Sequence, residues 1–201
     1  MTETIVDLIR HGEPVGGRRY RGHNIDDPLT EKGWTQMWEA VGDDHPWTQI
    51  MTSPLQRCQM FAHRLGERYG IPVAIEPRFK EVGFGAWEGL RHDEVKIDRA
   101  HEYRAFVNDP VNQRPQGAEV LADFIKRVTS AYADTVEKYR DQHCLIVAHA
   151  GVIRAIVAQT ISAPPAGLYR IKISYGGVTR IRHTEAGGVL ELLNAKLASR
   201  A

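Results

Sequence analysis

The stretch that decides the fold reads Ile5-Val6-Asp7-Leu8-Ile9-Arg10-His11-Gly12. Its first five residues are mostly apolar and have the length of a buried strand, whereas the residues that follow are charged, titratable or flexible. The pattern predicts a central strand with functional groups at its carboxyl end. The next residues, from Glu13 to Leu29, are rich in Gly, Arg, Pro and Asp, which predicts a loop.

Two further apolar segments repeat this arrangement. The run Cys144-Leu145-Ile146-Val147-Ala148 predicts a strand buried on both faces, and His149 follows it at the start of a helix through about Thr160. Trp47 to Thr52 predicts another strand. The following Ser53-Pro54-Leu55-Gln56 predicts a helix with serine at the N-cap, which should run to about Tyr69 before Gly70.

The rest of the chain continues the alternation of helix and strand. The predicted elements are a helix from an N-cap at Thr30 to Val41, a short strand over 73–75, an ordered loop over 81–94, helical structure over 92–109, a helix over 119–139 and strands within 169–193 joined by tight turns at Gly176-Gly177 and Gly187-Gly188. This order favours an α/β fold, a three-layer α/β/α sandwich with a mainly parallel central sheet, formed by one domain over residues 1–201.

Composition excludes several classes of protein. The formal net charge of +1 and the 42% hydrophobic residues are those of an ordinary globular protein, with no overall attraction to nucleic acid. No segment approaches the roughly 20 apolar residues of a membrane span, and no signal peptide is visible, so we expect a cytoplasmic protein. Cys58 and Cys144 fall in apolar segments and should be buried thiols. The sequence is compatible with a homodimer.

The residues at the strand ends suit chemistry on phosphate. Ligands of such sheets bind at the carboxyl ends of the strands, where His11, His149 and the following Arg57 should meet. Imidazole has a reference pKa of about 6.5, so a neutral nucleophile is abundant at pH 7. The guanidinium groups of Arg10 and Arg57 can bind phosphoryl oxygens in a bidentate manner. No cysteine or histidine spacing indicates a metal, and no cofactor is predicted.

Four motifs occur in one order along nearly the whole chain: Leu8-Ile9-Arg10-His11-Gly12-Glu13, Ser53-Pro54-Leu55-Gln56-Arg57-Cys58, Glu81 ahead of Gly85-Ala86-Trp87-Glu88-Gly89, and Val147-Ala148-His149-Ala150-Gly151-Val152-Ile153-Arg154. In this order they resemble the histidine phosphatase superfamily, the phosphoglycerate mutase-like family. The resemblance implies the sandwich fold and a metal-independent reaction through a phosphohistidine.

The resemblance also implies a role for each matching residue. His11 matches the nucleophile, Glu81 matches the acid that protonates the leaving group, and Arg10, Arg57 and His149 match the phosphate pocket. The chain departs from the family at three positions: Pro14 stands where many members have Thr or Ser, Gly17 where Asn is common, and Ala150 where Gly or Asn is usual.

The loop from Glu81 to Gly89 resembles the phosphatase branch of the superfamily, and in particular its α-ribazole phosphatases. The sequence therefore favours a phosphomonoester hydrolase acting on a small phosphorylated metabolite. Two alternatives stay open: phosphoryl transfer of the phosphoglycerate mutase type, and an inactive phosphatase-like module that binds a protein. The run Arg18-Arg19-Tyr20-Arg21 is more typical of a solvated loop than of a nucleic-acid site, although it could instead meet a phosphorylated substrate.

Overall fold

The computed structural model describes residues 3–43 and 45–197, which build one mixed sheet with helices on both faces. The strands are β1 (Thr4–Arg10), β2 (Gln49–Thr52), β3 (Val73–Ile75), β4 (His143–Ala148), β5 (Val178–Thr184) and β6 (Gly187–Ala195). The helices are α1 (Glu31–Val41), α2 (Gln56–Tyr69), α3 (His92–Asp98), α4 (Ala100–Asn108), α5 (Leu121–Lys138) and α6 (Ala150–Thr160).

The sheet has the strand order β3-β2-β4-β1-β5-β6. The first four strands are parallel to one another, whereas β5 and β6 are antiparallel to their neighbours. The predicted mainly parallel sheet is therefore confirmed. β1 lies beside β4 with Arg10 opposite Ala148, so the residues that follow these two strands emerge together at one edge.

Strand β4 shows how the three layers form. Leu145 and Val147 pack in a core with α1 and α2, whereas Ile146 and Ala148 pack in a second core with α5 and α6. All four side chains are fully buried, because alternate residues of a strand point to opposite faces and both faces are covered. The prediction of a strand buried on both sides is confirmed.

The helix boundaries follow local signals in most places. Thr30 caps α1 by accepting a hydrogen bond from the backbone N–H of Gly33 at 2.9 Å, as predicted. Gly70 ends α2 in the left-handed conformation with φ of 67°, which glycine adopts without the strain of a Cβ. Residues 92–109 form α3 and α4, so α3 already begins within the loop predicted over 81–94.

Two predictions about element boundaries are wrong. Ser53 is not the N-cap of α2, which begins at Gln56 with Leu55 in the cap position. The buried Ser53 hydroxyl instead lies beside His149, a contact that no local pattern encodes. In the tail, the segment from Tyr169 to Gly177 is not a strand: a 3₁₀ turn ends at Arg170 and β5 begins at Val178.

Candidate active site

The parallel pairing of β1 and β4 brings His11 and His149 together. The backbone N–H of His11 donates to the carbonyl oxygen of Ala148 at 3.0 Å, which continues the ladder one residue beyond the strand. The two imidazole rings meet edge to face, with centroids 5.2 Å apart. His11 and His149, which are distant in sequence, thus lie together at the edge of the sheet where the sequence predicted them.

The tautomer of His11 follows from its backbone partner. Its Nδ1 lies 2.8 Å from the carbonyl oxygen of Gly12, and a carbonyl can only accept, so Nδ1 carries the proton. In the neutral ring Nε2 then has a free lone pair. Burial, and secondarily the charges of Arg57 and Arg10, hold the pKa of His11 well below 6.5. His11 is therefore a neutral imidazole at pH 7, with the lone pair of Nε2 available for a new bond.

Two arginines flank this imidazole and are held by backbone carbonyls. Arg57 reaches from α2 to the loop after β1, where its Nη1 donates to Ile25 at 2.8 Å and its Nη2 to Gly22 at 2.9 Å. Arg10 donates from Nη1 to Ile173 at 2.7 Å. The Nε atoms of both arginines are buried and have no hydrogen-bond partner among the described residues. Both arginines line the same cavity as His11, to which their guanidinium groups bring positive charge.

His149 lies behind His11 and does not line the cavity. It is fully buried, and its Nε2 is 2.7 Å from the hydroxyl oxygen of Ser53. The sulfur of Cys58 is 3.6 Å from the same nitrogen. Burial, followed by the charge of Arg57, holds the pKa of His149 well below 6.5. A phosphate contact by His149 stays a prediction, whereas its contact with Ser53 is a feature that the sequence did not indicate.

Both cysteines agree with the prediction of buried thiols. Cys58 and Cys144 are fully buried and unpaired. The sulfur of Cys58 lies 3.4 Å from the carbonyl oxygen of Ala148, to which the thiol can donate. Burial raises the pKa of the Cys58 thiol, so this group packs against the imidazole of His149 as an uncharged neighbour.

Glu81 faces the cavity from the loop before the glycine-rich segment. Its carboxylate accepts hydrogen bonds from the backbone N–H of Val82 at 2.9 Å and of Gly151 at 3.2 Å. A Cβ at position 151 would lie only 2.2 Å from a carboxylate oxygen of Glu81, so any larger residue there would displace this carboxylate. The start of α6 therefore orients this carboxylate towards the same cavity that His11 lines.

Glu88 has a structural position. One of its carboxylate oxygens accepts a hydrogen bond from the backbone N–H of Phe84 at 2.8 Å, and the other accepts one from Asn24 at 3.2 Å. Glu88 does not line the cavity, so it ties the loop after β1 to the glycine-rich loop. Of the two carboxylates in this region, only that of Glu81 therefore lines the cavity.

A half-buried ion pair supports the segment that carries Glu81. Arg127 of α5 donates to both carboxylate oxygens of Glu119, at 2.7 and 2.9 Å. The same guanidinium donates to the carbonyl oxygens of Arg78, Lys80 and Glu81 at 2.5, 2.8 and 3.1 Å. Because a guanidinium has five N–H donors in a fixed plane, this one residue fixes the path of the backbone into Glu81. The role of Arg127 was missed at the level of sequence.

The side chains of Arg10, His11, Arg57 and Glu81 line a cavity of about 550 Å³ that is strongly cationic. Seven basic side chains line it against the single carboxylate of Glu81, namely Arg10, Arg18, Arg19, Arg21, Arg57, Arg154 and Lys172. The overall net charge of +1 conceals this local concentration. Aromatic rings form another wall, among them Tyr20, Phe84, Phe106 and Tyr169. The cavity can therefore hold an anion together with an apolar or planar group.

The basic run after β1 belongs to this cavity. Arg18, Arg19, Tyr20 and Arg21 all line it, so the alternative, contact with the substrate region, fits the structure, while Arg18 is also exposed to solvent as expected of a solvated loop. The buried guanidinium of Arg21 donates to the carbonyl oxygens of Val15 and Gly17 and forms an ion pair with Asp27. Gly17 thus contributes a backbone acceptor where other family members have an Asn side chain.

Together with the sheet, this arrangement defines an α/β enzyme that acts on phosphate esters, with two histidines at the carboxyl ends of parallel strands. Comparison with known families is consistent with that class. The family model described as histidine phosphatase superfamily (branch 1) matches residues 6–196. The chain belongs to this superfamily, and the resemblance inferred from the four motifs is confirmed.

The relatives of the chain include both phosphatases and mutases. An adenosylcobalamin/alpha-ribazole phosphatase from Salmonella typhimurium is 31% identical over 195 residues, which cover 94% of this chain and 95% of the relative. A probable phosphoglycerate mutase from Erwinia tasmaniensis is 27% identical, with 90% of this chain and 86% of the relative covered. The crystal structure of an alpha-ribazole phosphatase from Shigella flexneri has a TM-score of 0.84 at 29% identity and covers 98% of this chain and 99% of that one.

Two further findings concern membrane spans and metal sites among the described residues. No helix of residues 3–43 and 45–197 is long and apolar enough to cross a membrane. Within the same ranges, no three side chains of His, Cys, Asp or Glu come together in a group that could hold a metal ion.

Proposed function

We propose that this protein is a phosphomonoester hydrolase that works through a phosphohistidine on His11. The observation that carries the proposal is the hydrogen bond from His11 Nδ1 to the carbonyl oxygen of Gly12, since it leaves Nε2 as the nucleophile. Nε2 attacks phosphorus, and the bond from phosphorus to the ester oxygen breaks. The carboxyl group of Glu81 is the general acid that gives a proton to the departing oxygen.

The second half of the reaction regenerates the enzyme. Water attacks the phosphorus of the phosphohistidine, and the carboxylate of Glu81 accepts a proton from that water. The bond from phosphorus to Nε2 then breaks, which releases inorganic phosphate and restores the neutral imidazole. The same carboxylate therefore serves as acid and then as base, and atoms and protons balance over the cycle.

Charge stabilisation comes from the arginines in this proposal. The transferred phosphoryl group spreads negative charge over three oxygens, and backbone carbonyls already hold the guanidinium groups of Arg10 and Arg57 in place before the substrate arrives. Donors that need no rearrangement act most strongly in a site shielded from water. We accordingly expect turnover without a metal ion or organic cofactor. His149 completes the proposed catalytic and phosphate-binding set.

The proposed substrate is a small phosphorylated metabolite, and α-ribazole phosphate is the first candidate. The relative named as an adenosylcobalamin/alpha-ribazole phosphatase supports it, as does the aromatic wall of the cavity. One domain over residues 1–201, a cytoplasmic location, a homodimer and the absence of nucleic-acid partners stay predictions.

A hydrolysis screen tests the function. Purified protein in EDTA is incubated with p-nitrophenyl phosphate, α-ribazole phosphate and phosphoglycerates, and inorganic phosphate release is measured with and without a bisphosphate primer. We expect unprimed hydrolysis, fastest for α-ribazole phosphate. Isomerisation of phosphoglycerate that depends on the primer would instead establish a mutase. Lack of turnover on every ester would support a binding module, and loss of turnover that a divalent ion restores would contradict the metal-independent mechanism.

A further inference from the structure

Tyr175 lines the same cavity as His11, on the segment that leads into β5. The Cζ atom of Arg10 lies over its ring at 4.0 Å from the ring centroid, which is direct contact. The centroid of the same ring is 5.8 Å from that of the His11 imidazole. One aromatic side chain therefore adjoins both the candidate nucleophile and an arginine of the proposed phosphate pocket.

The backbone holds Tyr175 beside Arg10. The backbone N–H of Gly176 donates to the carbonyl oxygen of Arg10 at 3.1 Å, and the backbone N–H of Arg10 donates to the carbonyl oxygen of Gly177 at 3.1 Å. Gly176 turns the chain with φ of 66°, a conformation that favours glycine. The ring and the guanidinium therefore start from neighbouring points of one hydrogen-bonded ladder.

A side chain of β6 anchors the residue before Tyr175. The Oδ1 atom of Asn194 accepts a hydrogen bond from the backbone N–H of Ser174 at 2.7 Å, and its Nδ2 atom donates to the Ser174 hydroxyl oxygen at 3.2 Å. Asn194 itself has φ of 58°, and asparagine is one of the few residues that adopt this left-handed conformation at small cost. The sheet therefore sets the position of the segment that carries Tyr175.

The ring restricts the guanidinium of Arg10 without using its donors. The carbonyl oxygen of Ile173 accepts a hydrogen bond from Nη1 at 2.7 Å and fixes one edge of the guanidinium plane, while Tyr175 covers one face. Burial lowers the pKa of Arg10 from its usual value, so an attractive partner for the cation is stabilising. An aromatic face attracts a cation and leaves the N–H groups in the guanidinium plane free to bind an anion.

We propose that Tyr175 is a positioning residue, which holds the guanidinium of Arg10 in the orientation that binds the phosphoryl group. The ring acts through Arg10, and the hydroxyl takes no part in the chemistry. The inference rests on the proposed function, because it assumes that the phosphoryl group lies between Arg10 and His11. Tyr175 lies outside the four motifs of the sequence, and only the fold brings it to the site.

Substitutions of Tyr175 test the role of the ring. Tyr175→Leu should lower kcat on p-nitrophenyl phosphate on the order of tenfold with a smaller change in KM, because a misoriented donor weakens the transition state most. Tyr175→Phe keeps the ring and should stay within about twofold of wild type. Equal losses in the two variants would overturn the proposal, because they would assign the effect to the hydroxyl.

The matched control is Tyr139→Leu. The ring of Tyr139 also adjoins a cation, at 5.1 Å from the Nζ atom of Lys138, but it lies at the end of α5 and outside the cavity lining. This variant should retain wild-type kinetics. A loss equal to that of Tyr175→Leu would show that removal of any such ring impairs the protein, and would overturn a specific role for Tyr175.

A double-mutant cycle shows whether the ring acts through Arg10. In the Arg10→Ala background, Tyr175→Leu should have little further effect on kcat, because the side chain that the ring positions is gone. A loss in that background as large as the loss in wild type would overturn the proposal. It would indicate that the ring acts on His11 directly.

Two measurements do not depend on turnover. In NMR spectra of the wild-type protein, ring currents should shift the Hδ and Hε protons of Arg10 upfield, and Tyr175→Leu should abolish this shift. Calorimetry should show that Tyr175→Leu weakens the binding of inorganic phosphate several-fold, whereas Tyr175→Phe does not. Unshifted Arg10 protons in wild type, or unchanged phosphate binding in Tyr175→Leu, would overturn the proposal.

The outcome does not depend on a single variant. If Tyr175→Leu does not fold, the wild-type spectrum and the less drastic Tyr175→Met decide in the same way. Failure of wild-type protein to hydrolyse any ester, including p-nitrophenyl phosphate, would instead contradict the proposed function. The proton shifts and phosphate affinities would still decide the role of Tyr175, so the two failures are distinguishable.

Discussion

The carboxylate of Glu81 accepts a hydrogen bond from the backbone N–H of Gly151 at 3.2 Å. Gly151 lies in the first turn of α6, directly after the strand that ends beside His11. The candidate acid is thus tied to the same sheet edge that carries the candidate nucleophile. Because of this hydrogen bond, the fold itself sets the distance between the candidate proton donor and the candidate nucleophile. Substitutions of single residues can therefore test their roles.

Replacement of His11 by Ala should abolish the covalent intermediate. In wild-type protein, rapid quench with labelled substrate should trap acid-labile, base-stable phosphate on the chain, as expected for phosphohistidine. His63→Ala is a matched control, because His63 is exposed on α2 and should retain the label. Persistence of the label in His11→Ala would place the intermediate on another residue.

Arg10 and Arg57 should each contribute strongly to turnover. Arg57→Ala and Arg10→Ala should each lower kcat on the order of 100-fold to 1,000-fold, as when one preorganised donor to a developing charge is removed. Lysine at either position should rescue only part of the loss, since it lacks the planar fork. Arg64→Ala, an exposed position on the same helix as Arg57, is the control. Kinetics near wild type in either alanine variant would exclude that arginine from the site.

Glu81→Gln should show a dependence on the leaving group. Alkyl phosphates need a proton on the departing oxygen, so their phosphorylation step should slow far more than that of p-nitrophenyl phosphate. Dephosphorylation should slow for both, because the intermediate is the same, and burst kinetics separate the two steps. Glu88→Gln should lack this pattern, since Glu88 binds two backbone N–H groups away from the cavity. The reverse outcome would exchange the two roles.

Arg127 should act as a positioning residue for Glu81. Arg127→Met removes the donors to three carbonyl groups of the segment, and a displacement of about 1 Å can cost up to about 100-fold in rate. The loss should be larger for alkyl phosphates than for p-nitrophenyl phosphate, with partial rescue by Lys. Lys126→Met changes the exposed neighbouring residue and should have no such effect. An equal loss for both esters would indicate general destabilisation only.

Protein stability should depend on the buried His149. Its folded-state pKa lies well below 6.5, so below about pH 6.5 the unfolded chain binds a proton that the folded state does not. The free energy of unfolding should therefore fall as pH is lowered from 7 towards 5. In His149→Gln this fall should be less steep by up to about 1.4 kcal/mol per pH unit.

Chemical denaturation at several pH values measures that slope. His63→Gln, at an exposed position, should retain the wild-type slope. An identical slope in His149→Gln would show that this imidazole titrates alike in the folded and unfolded states.

Most of the helices and strands, and the main residues of the candidate site, could be predicted from the sequence alone. Apolar runs, the Thr30 cap and the Gly70 terminator are local signals, because each depends on residues within a few positions along the chain. These local signals predicted strands β1 and β4 and the helices that alternate with the strands. The placement of His11 and His149 at strand ends, with the order of the motifs, identified the superfamily.

Only the tertiary structure decided how those side chains are held. The contact of Ser53 with His149 spans 96 positions, and the bond from Gly151 to Glu81 spans 70. Arg127 reaches the segment before Glu81 from another helix altogether. Such contacts depend on which faces of distant elements pack together, and no pattern of neighbouring residues specifies that. For the same reason, the cationic cavity could not be predicted from a sequence whose formal net charge is only +1.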